Sequence, residues 1–182
     1  DYSSITTGNA ATDGVVVTLN GSTQTTVTIN GTDQDLITNI ENIVGTSNND
    51  TFTGNTGVNT LIGGAGTDEV RYNYTALTSG VTVNLFNGTA SDGDTLSSIE
   101  YVVGSDFDDT FITKLTTVNI IDGGETDTIG LGSLNGAEVS GDTVDYSSNG
   151  ATKIVVDLSI TDVDSYSTAI VSGTSAVNDK LK

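Results

Sequence analysis

Asp50 and Asp68 each fill the sixth place of a nine-residue unit, in a run of three such units laid end to end: GTSNNDTFT (45–53), GNTGVNTLI (54–62) and GGAGTDEVR (63–71). The middle unit carries Asn59 at that place, and the eighth places hold Phe52, Leu61 and Val70. Glycines at the early places permit left-handed backbone angles in a tight turn and leave carbonyls exposed. The sixth place adds a hard anionic oxygen, and the eighth opens a short strand whose apolar side chain faces a core. Carboxylate and carbonyl oxygens together are the donors that calcium takes, six to eight of them at about 2.3–2.6 Å. One short turn cannot supply so many, but two stacked turns can.

The third unit fits the repeat G-G-x-G-x-D-x-U-x, where U is a large apolar residue, and the second is a variant with Asn for Asp. On these residues the chain resembles the repeats-in-toxin (RTX, haemolysin-type) calcium-binding repeat family, found in large secreted bacterial surface proteins such as S-layer proteins and adhesins. The resemblance implies two nonapeptides per coil, so that unit one stacks on unit three with Ca2+ between 45–50 and 63–68. Asp50 and Asp68 would give carboxylates, and Gly45, Ser47, Gly64 and Gly66 carbonyls. A second block, 104–130, implies the same ion between Asp109 and Asp127, with carbonyls from Gly104, Asp106, Gly123 and Glu125. This block departs further from the pattern. Glu125 stands where Gly is usual, as Asn48 does in the first block, and the middle unit TKLTTVNII (113–121) has lost its glycines and places Val118 sixth. The second block is therefore expected to be the poorer site. Plain turn chemistry, which Asp and Asn also serve, is the competing reading of all four aspartates.

The elements that must position these residues recur. GVVVTLN (14–20) returns as GVTVNLF (80–86), and IVGTSNNDTF (43–52) as VVGSDFDDTF (102–111). From Asp35 onward one offset of 59 carries Gly45 to Gly104, Asp50 to Asp109, Asp68 to Asp127 and Val70 to Ile129. A third copy begins where DYSS (1–4) recurs at 145–148, and Asp179-Lys180-Leu181 matches Asp94-Thr95-Leu96. The expected organisation is a first repeat over 1–71, a second over 72–130, and a Gly-rich insertion with a truncated third repeat over 131–182. The truncation and the absence of Met lead us to expect a piece of a longer protein. No segment has a helical composition, since Thr, Val, Asn and Gly dominate. The expected fold is all-β, a parallel β-solenoid or β-roll built from degenerate RTX-like repeats, with apolar residues inward and Thr, Asn and Ser outward.

Composition limits the function. The net charge is −19, with 24 acidic residues against 5 basic ones, so no basic face for nucleic acid or anionic membrane can be assembled. No apolar run approaches the roughly 20 residues of a membrane helix. The chain has no Cys and no His, and neither a nucleophile elbow nor a zinc-protease motif occurs, which argues against an enzyme. Asp106, Asp108, Asp92 and Asp94 are expected on solvated faces. Asp162-Val163-Asp164 begins like an EF-hand loop, but Ser167 and Gly173 break the pattern. The leading expectation is a calcium-binding structural module of a large secreted surface protein (S-layer, adhesin or extracellular fibre). The resemblance implies export by Gram-negative type I secretion, rigidification by calcium outside the cell, and self-association or contact with neighbouring repeats. The alternatives are the accessory tail of a secreted enzyme, or a solenoid that binds surface polysaccharide through outward Thr ladders. Thr is plentiful, but its spacing along the chain is irregular.

Overall fold

The structure is a computed structural model describing residues 1–5, 14–74, 76–113, 118–124, 142–146, 153–161, 167–172 and 178–181, with 33–34 and 153 onward described by backbone alone. All regular structure among these residues is β. Each nonapeptide yields one three-residue strand whose central side chain is buried and whose flanking ones are half-buried. These are β5 (Thr51–Thr53), β6 (Thr60–Ile62) and β7 (Glu69–Arg71), burying Phe52, Leu61 and Val70. Three-residue strands recur as β4 (Asn42–Val44), β11 (Tyr101–Val103), β12 (Thr110–Ile112), β13 (Ile120–Asp122) and β14 (Thr143–Asp145), with the central side chain buried in all but β14, where Val144 is half-buried. Such strands are too short to stand alone and gain stability only by stacking.

Three longer units separate them. They are β1 (Val15–Thr18), β2 (Thr25–Ile29) and β3 (Thr32–Ile37); β8 (Thr82–Asn84), β9 (Thr89–Ala90) and β10 (Thr95–Ser97); and β15 (Lys153–Thr161), β16 (Ser167–Ser172) and β17 (Asn178–Leu181). Each is an antiparallel meander. The turn between β2 and β3 has Asn30 and Gly31 at φ 55° and 68°, the left-handed pair that joins twisted strands tightly. Asn-Gly signals thus mark reversals of direction, and the fold is not parallel throughout.

The strands form two mixed sheets, neither closed into a barrel. One has ten strands, ordered β15-β16-β17-β13-β11-β7-β5-β1-β2-β3, and the other seven, ordered β14-β12-β8-β9-β10-β6-β4. Counting a meander as one step, the chain changes sheet at every step from β3 to β15. Thr51 pairs with Glu69 and Asn42 with Thr60, so strands eighteen residues apart lie side by side in parallel. Unit one therefore does stack on unit three. Each copy holds one meander and four short strands, an odd number of crossings. Equivalent strands consequently land on opposite sheets, β5 in the larger and β12 in the smaller.

One apolar cluster joins the two sheets, uniting Val17, Phe52, Val70 and Val102 with Ile43, Leu61, Val83 and Phe111. Strand pairing also changes the reading of the threonines. Irregular in sequence, they align across the smaller sheet as Thr60–Thr95–Thr89 and as Thr82–Thr110–Thr143.

Because Phe52 fills the core where two stacks meet, Phe52→Ala is expected to lower unfolding free energy by about 3–5 kcal/mol. Phe86→Ala, at a side chain 51% exposed, should change it by no more than about 0.5 kcal/mol. Urea unfolding of both variants checks the assignment.

Candidate functional site

The residue that opens a short strand closes the turn before it. Asp50, Asn59, Asp68 and Asp109 precede β5, β6, β7 and β12, and all four are buried. Each side chain folds back over the first glycine of its own unit. A Cβ on Gly45, Gly63 or Gly104 would collide with Oδ2 of Asp50, Asp68 or Asp109, and one on Gly54 would sit 3.1 Å from Asn59 Oδ1. These glycines are kept by lack of space.

Backbone amides link one turn to the next. On one flank the Val15 N–H donates to Asp50 Oδ1 (2.7 Å), the Asp50 N–H to Asp68 Oδ1 (2.8 Å) and the Asp68 N–H to Glu100 Oε2 (3.1 Å). On the other, the Asn59 N–H donates to Asp94 Oδ1 (2.7 Å), the Val81 N–H to Asp109 Oδ1 (2.7 Å) and the Asp109 N–H to Asp142 Oδ1 (2.8 Å). Stacked carboxylates thus satisfy amides that the short strands leave unpaired.

The structure brings Asp50 and Asp68 together, the pairing that the resemblance implies. Gly64 and Gly66 have φ of 116° and 127°, values that require glycine. A Cβ on Gly64 would strike the Thr46 carbonyl, and one on Gly66 would lie 2.7 Å from the Asn48 carbonyl. The carbonyls of Thr46 and Asn48 thus face the neighbouring turn, and the Gly63 carbonyl faces Gly45. Gly45 also borders Asp50, and Ser47 is exposed.

In the second block the Gly104 carbonyl lies against Gly124 and the Gly123 carbonyl against Gly104, while Asp106 is exposed. Glu125 and Asp127 lie outside the described residues. The carboxylate that accepts the Asp109 amide belongs to Asp142, whose Oδ2 meets Gly123 as Asp68 Oδ2 meets Gly63. The offset is 59 only as far as β12. Asn119 is fully buried at the opening of β13, as Asn59 is at the opening of β6, while Val118 is 42% exposed. The middle unit has therefore gained one residue and kept its Asn. Residues 125–141 then stand between Gly124 and Asp142, where the first block has only 65–67. Asp142-x-Val144-x-Tyr146 repeats Asp68-x-Val70-x-Tyr72, the signal that identifies the true equivalent.

Two further residues escape sequence reasoning. Asp94, expected on a solvated face, is buried and stacks on Asn59. The middle unit thus has partners outside its block, β4 on one side and β10 on the other. Glu100 lies beside Asp68 because β11 pairs with β7. Both residues recur from Asp35 and Glu41, a pattern visible in the repeat.

The turns differ in how well they satisfy their carboxylates. Asp50 accepts from the Val15 N–H, the Thr46 N–H (2.6 Å) and the Thr46 hydroxyl (3.0 Å). Asp109 accepts from the Val81 N–H, the Ser105 N–H (2.7 Å) and the Ser105 hydroxyl (2.8 Å). Asp68 is fully buried, and its Oδ2 has no hydrogen-bond partner. Burial, with the charges of Asp50 and Glu100 adding to it, pushes the Asp68 carboxyl up to about 7 despite the Asp50 N–H. Burial likewise raises Asp94 to about 6 against the pull of the Asn59 N–H, with Asp92 adding to the rise. Among the described residues no three acidic side chains converge on one point. An ion here would be held by Asp68 with carbonyl oxygens; the Ser98 carbonyl crowds the same side of Gly63 as Asp68 Oδ2.

An unfolded Asp titrates near 3.9. Between that pH and about 7 the folded chain retains a proton on Asp68 that the unfolded chain has released. Without divalent cations, stability should therefore fall as pH rises from about 4 to about 7, and Asp94 adds to the same slope. Urea unfolding in chelator across this window checks the sign. Asp68→Asn should flatten the slope substantially, with Asp94 accounting for part of what remains.

Comparison of the chain with protein-family models, curated proteins and solved structures gives no match.

Proposed function

We propose that the chain is a calcium-binding structural module of a large secreted surface protein, its two sheets forming the walls of a parallel β-roll interrupted by meanders. The observation that carries this reading is Asp68 Oδ2, a fully buried carboxylate oxygen without a donor. Such a group is costly unless a proton or a cation joins it. The stacked turns offer it hard carbonyl oxygens, the donors calcium prefers. Parallel pairing at eighteen-residue intervals and the resemblance of 63–71 to the RTX repeat support the β-roll.

The mechanism is calcium-gated rigidification. At low calcium, repulsion within a chain of net charge −19 favours expanded states. At extracellular calcium, where modules with Kd of about 10⁻⁴–10⁻³ M suffice, the ion neutralises Asp68 and clamps adjacent turns. A chain without His or Cys fits a structural role better than a catalytic one. The aligned rows of uncharged threonines on the smaller sheet favour a second reading, contact with an extended neutral polysaccharide.

Calcium at about a hundred times its Kd is expected to stabilise the chain by about 2.7 kcal/mol, with chelator reversing the gain. Asp68→Ala should abolish most of this gain and Asn59→Ala little of it, measured by thermal melts with and without calcium. Melts indifferent to calcium, or equal effects of the two variants, would exclude the clamp at Asp68.

A further inference from the structure

The three nonapeptide turns that close on a buried aspartate, Asp50, Asp109 or Asp68, differ at their second place, which holds Thr46, Ser105 or Gly64. Thr46 and Ser105 treat their aspartates alike. Each gives its backbone N–H to Oδ2, at 2.6 and 2.7 Å, and its hydroxyl to Oδ1, at 3.0 and 2.8 Å. Each hydroxyl oxygen in turn accepts an amide two residues on, from Asn48 (2.9 Å) and Phe107 (3.1 Å), so its proton is directed toward the carboxylate. With the amide from Val15 or Val81, the aspartate has three donors and both of its oxygens are engaged. Gly64 has no hydroxyl, and its φ of 116° gives the turn a different path. In that turn Asp68 keeps one donor, the Asp50 amide, and Oδ2 is left bare and fully buried.

We propose that the residue at the second place decides whether a turn takes a cation: Thr46 and Ser105 close their turns without one, each with its backbone N–H on Oδ2 and its hydroxyl on Oδ1, and Gly64, whose left-handed backbone gives Oδ2 no N–H, leaves Asp68 to bind it. The inference rests on the calcium reading for the identity of the ion, but it divides the aspartates differently from the RTX pattern. Asp50 and Asp109 become internally satisfied acceptors, although each sits at the sixth place of its unit. Thr46 and Ser105 are the selecting residues. They act on the carboxylate and need not touch the ion.

The test is calcium titration calorimetry at neutral pH on the full chain, comparing wild type with Thr46→Gly, Ser105→Gly and Thr46→Ser. Each glycine variant should bind one more calcium ion per chain than wild type, while Thr46→Ser should match wild type. If Thr46→Gly is unfolded in chelator, circular dichroism should show folding restored by calcium. A stoichiometry unchanged in both glycine variants, or an unfolded variant that calcium does not rescue, overturns the proposal. Wild type binding no calcium would overturn the calcium-module reading together with the assignment of Asp68. Wild type binding calcium with no gain in either glycine variant would overturn this inference alone.

Discussion

Everything in this fold hangs on hydrogen bonds from backbone amides to carboxylates one turn away. Strands of three residues bury at most two side chains and pair too briefly to set their own register. The amides of Val15, Asp50, Asp68, Val81 and Asp109 find carboxylate oxygens on the next turn at 2.7–3.1 Å, and these contacts fix which turn lies on which. Charged acceptors make stronger bonds than neutral ones. The consequence is a column of negative charge at partly dry positions, and each turn must answer it locally with donors, a proton or a cation. Thr46 and Ser105 each answer with a backbone N–H and a hydroxyl; the turn of Asp68 has no internal answer.

The stacking of unit one on unit three was legible because it depends on local facts. Gly45 and Gly63 are the spaces into which Asp50 and Asp68 fold, and Phe52 and Val70 face the core two residues later. The partner of Asp109 was not legible from a constant offset. Asn119 shows one added residue in the middle unit, and 125–141 intervene before Asp142, so spacing pointed to Asp127 instead. Asp94 looked like a surface acid because its neighbours are polar. Its burial arises only when β10 pairs with β6, a contact between copies that no short window contains. In the first block the carbonyls that face Gly64 and Gly66 are those of Thr46 and Asn48, whereas in the second the Gly104 carbonyl faces Gly124. Which carbonyls face the next turn depends on the left-handed path at Gly64 and Gly66, which spacing alone does not show.

The meanders carry a second lesson. Asn30-Gly31 turns the chain back on itself, and β1–β3, β8–β10 and β15–β17 thereby break the parallel order expected of a simple coil. With four short strands they make an odd number of crossings, so each copy lies on the opposite sheet from the last. The threonines, scattered in sequence, are gathered into two rows on the smaller sheet, one completed by the reversal at β9 and the other by the parallel pairing of β8, β12 and β14. On the calcium reading, meanders space the blocks and the turn of Asp68 locks them.

Anomalous diffraction from crystals soaked in a calcium-mimicking lanthanide is the most direct test that Asp68 is the cation ligand and that hydroxyl-closed turns are not. A peak is expected at about 2.3–2.6 Å from Asp68 Oδ2, with none beside the carboxylates of Asp50 and Asp109. An empty Asp68 turn, or a peak bridging to Asp50 or Asp109, would contradict it.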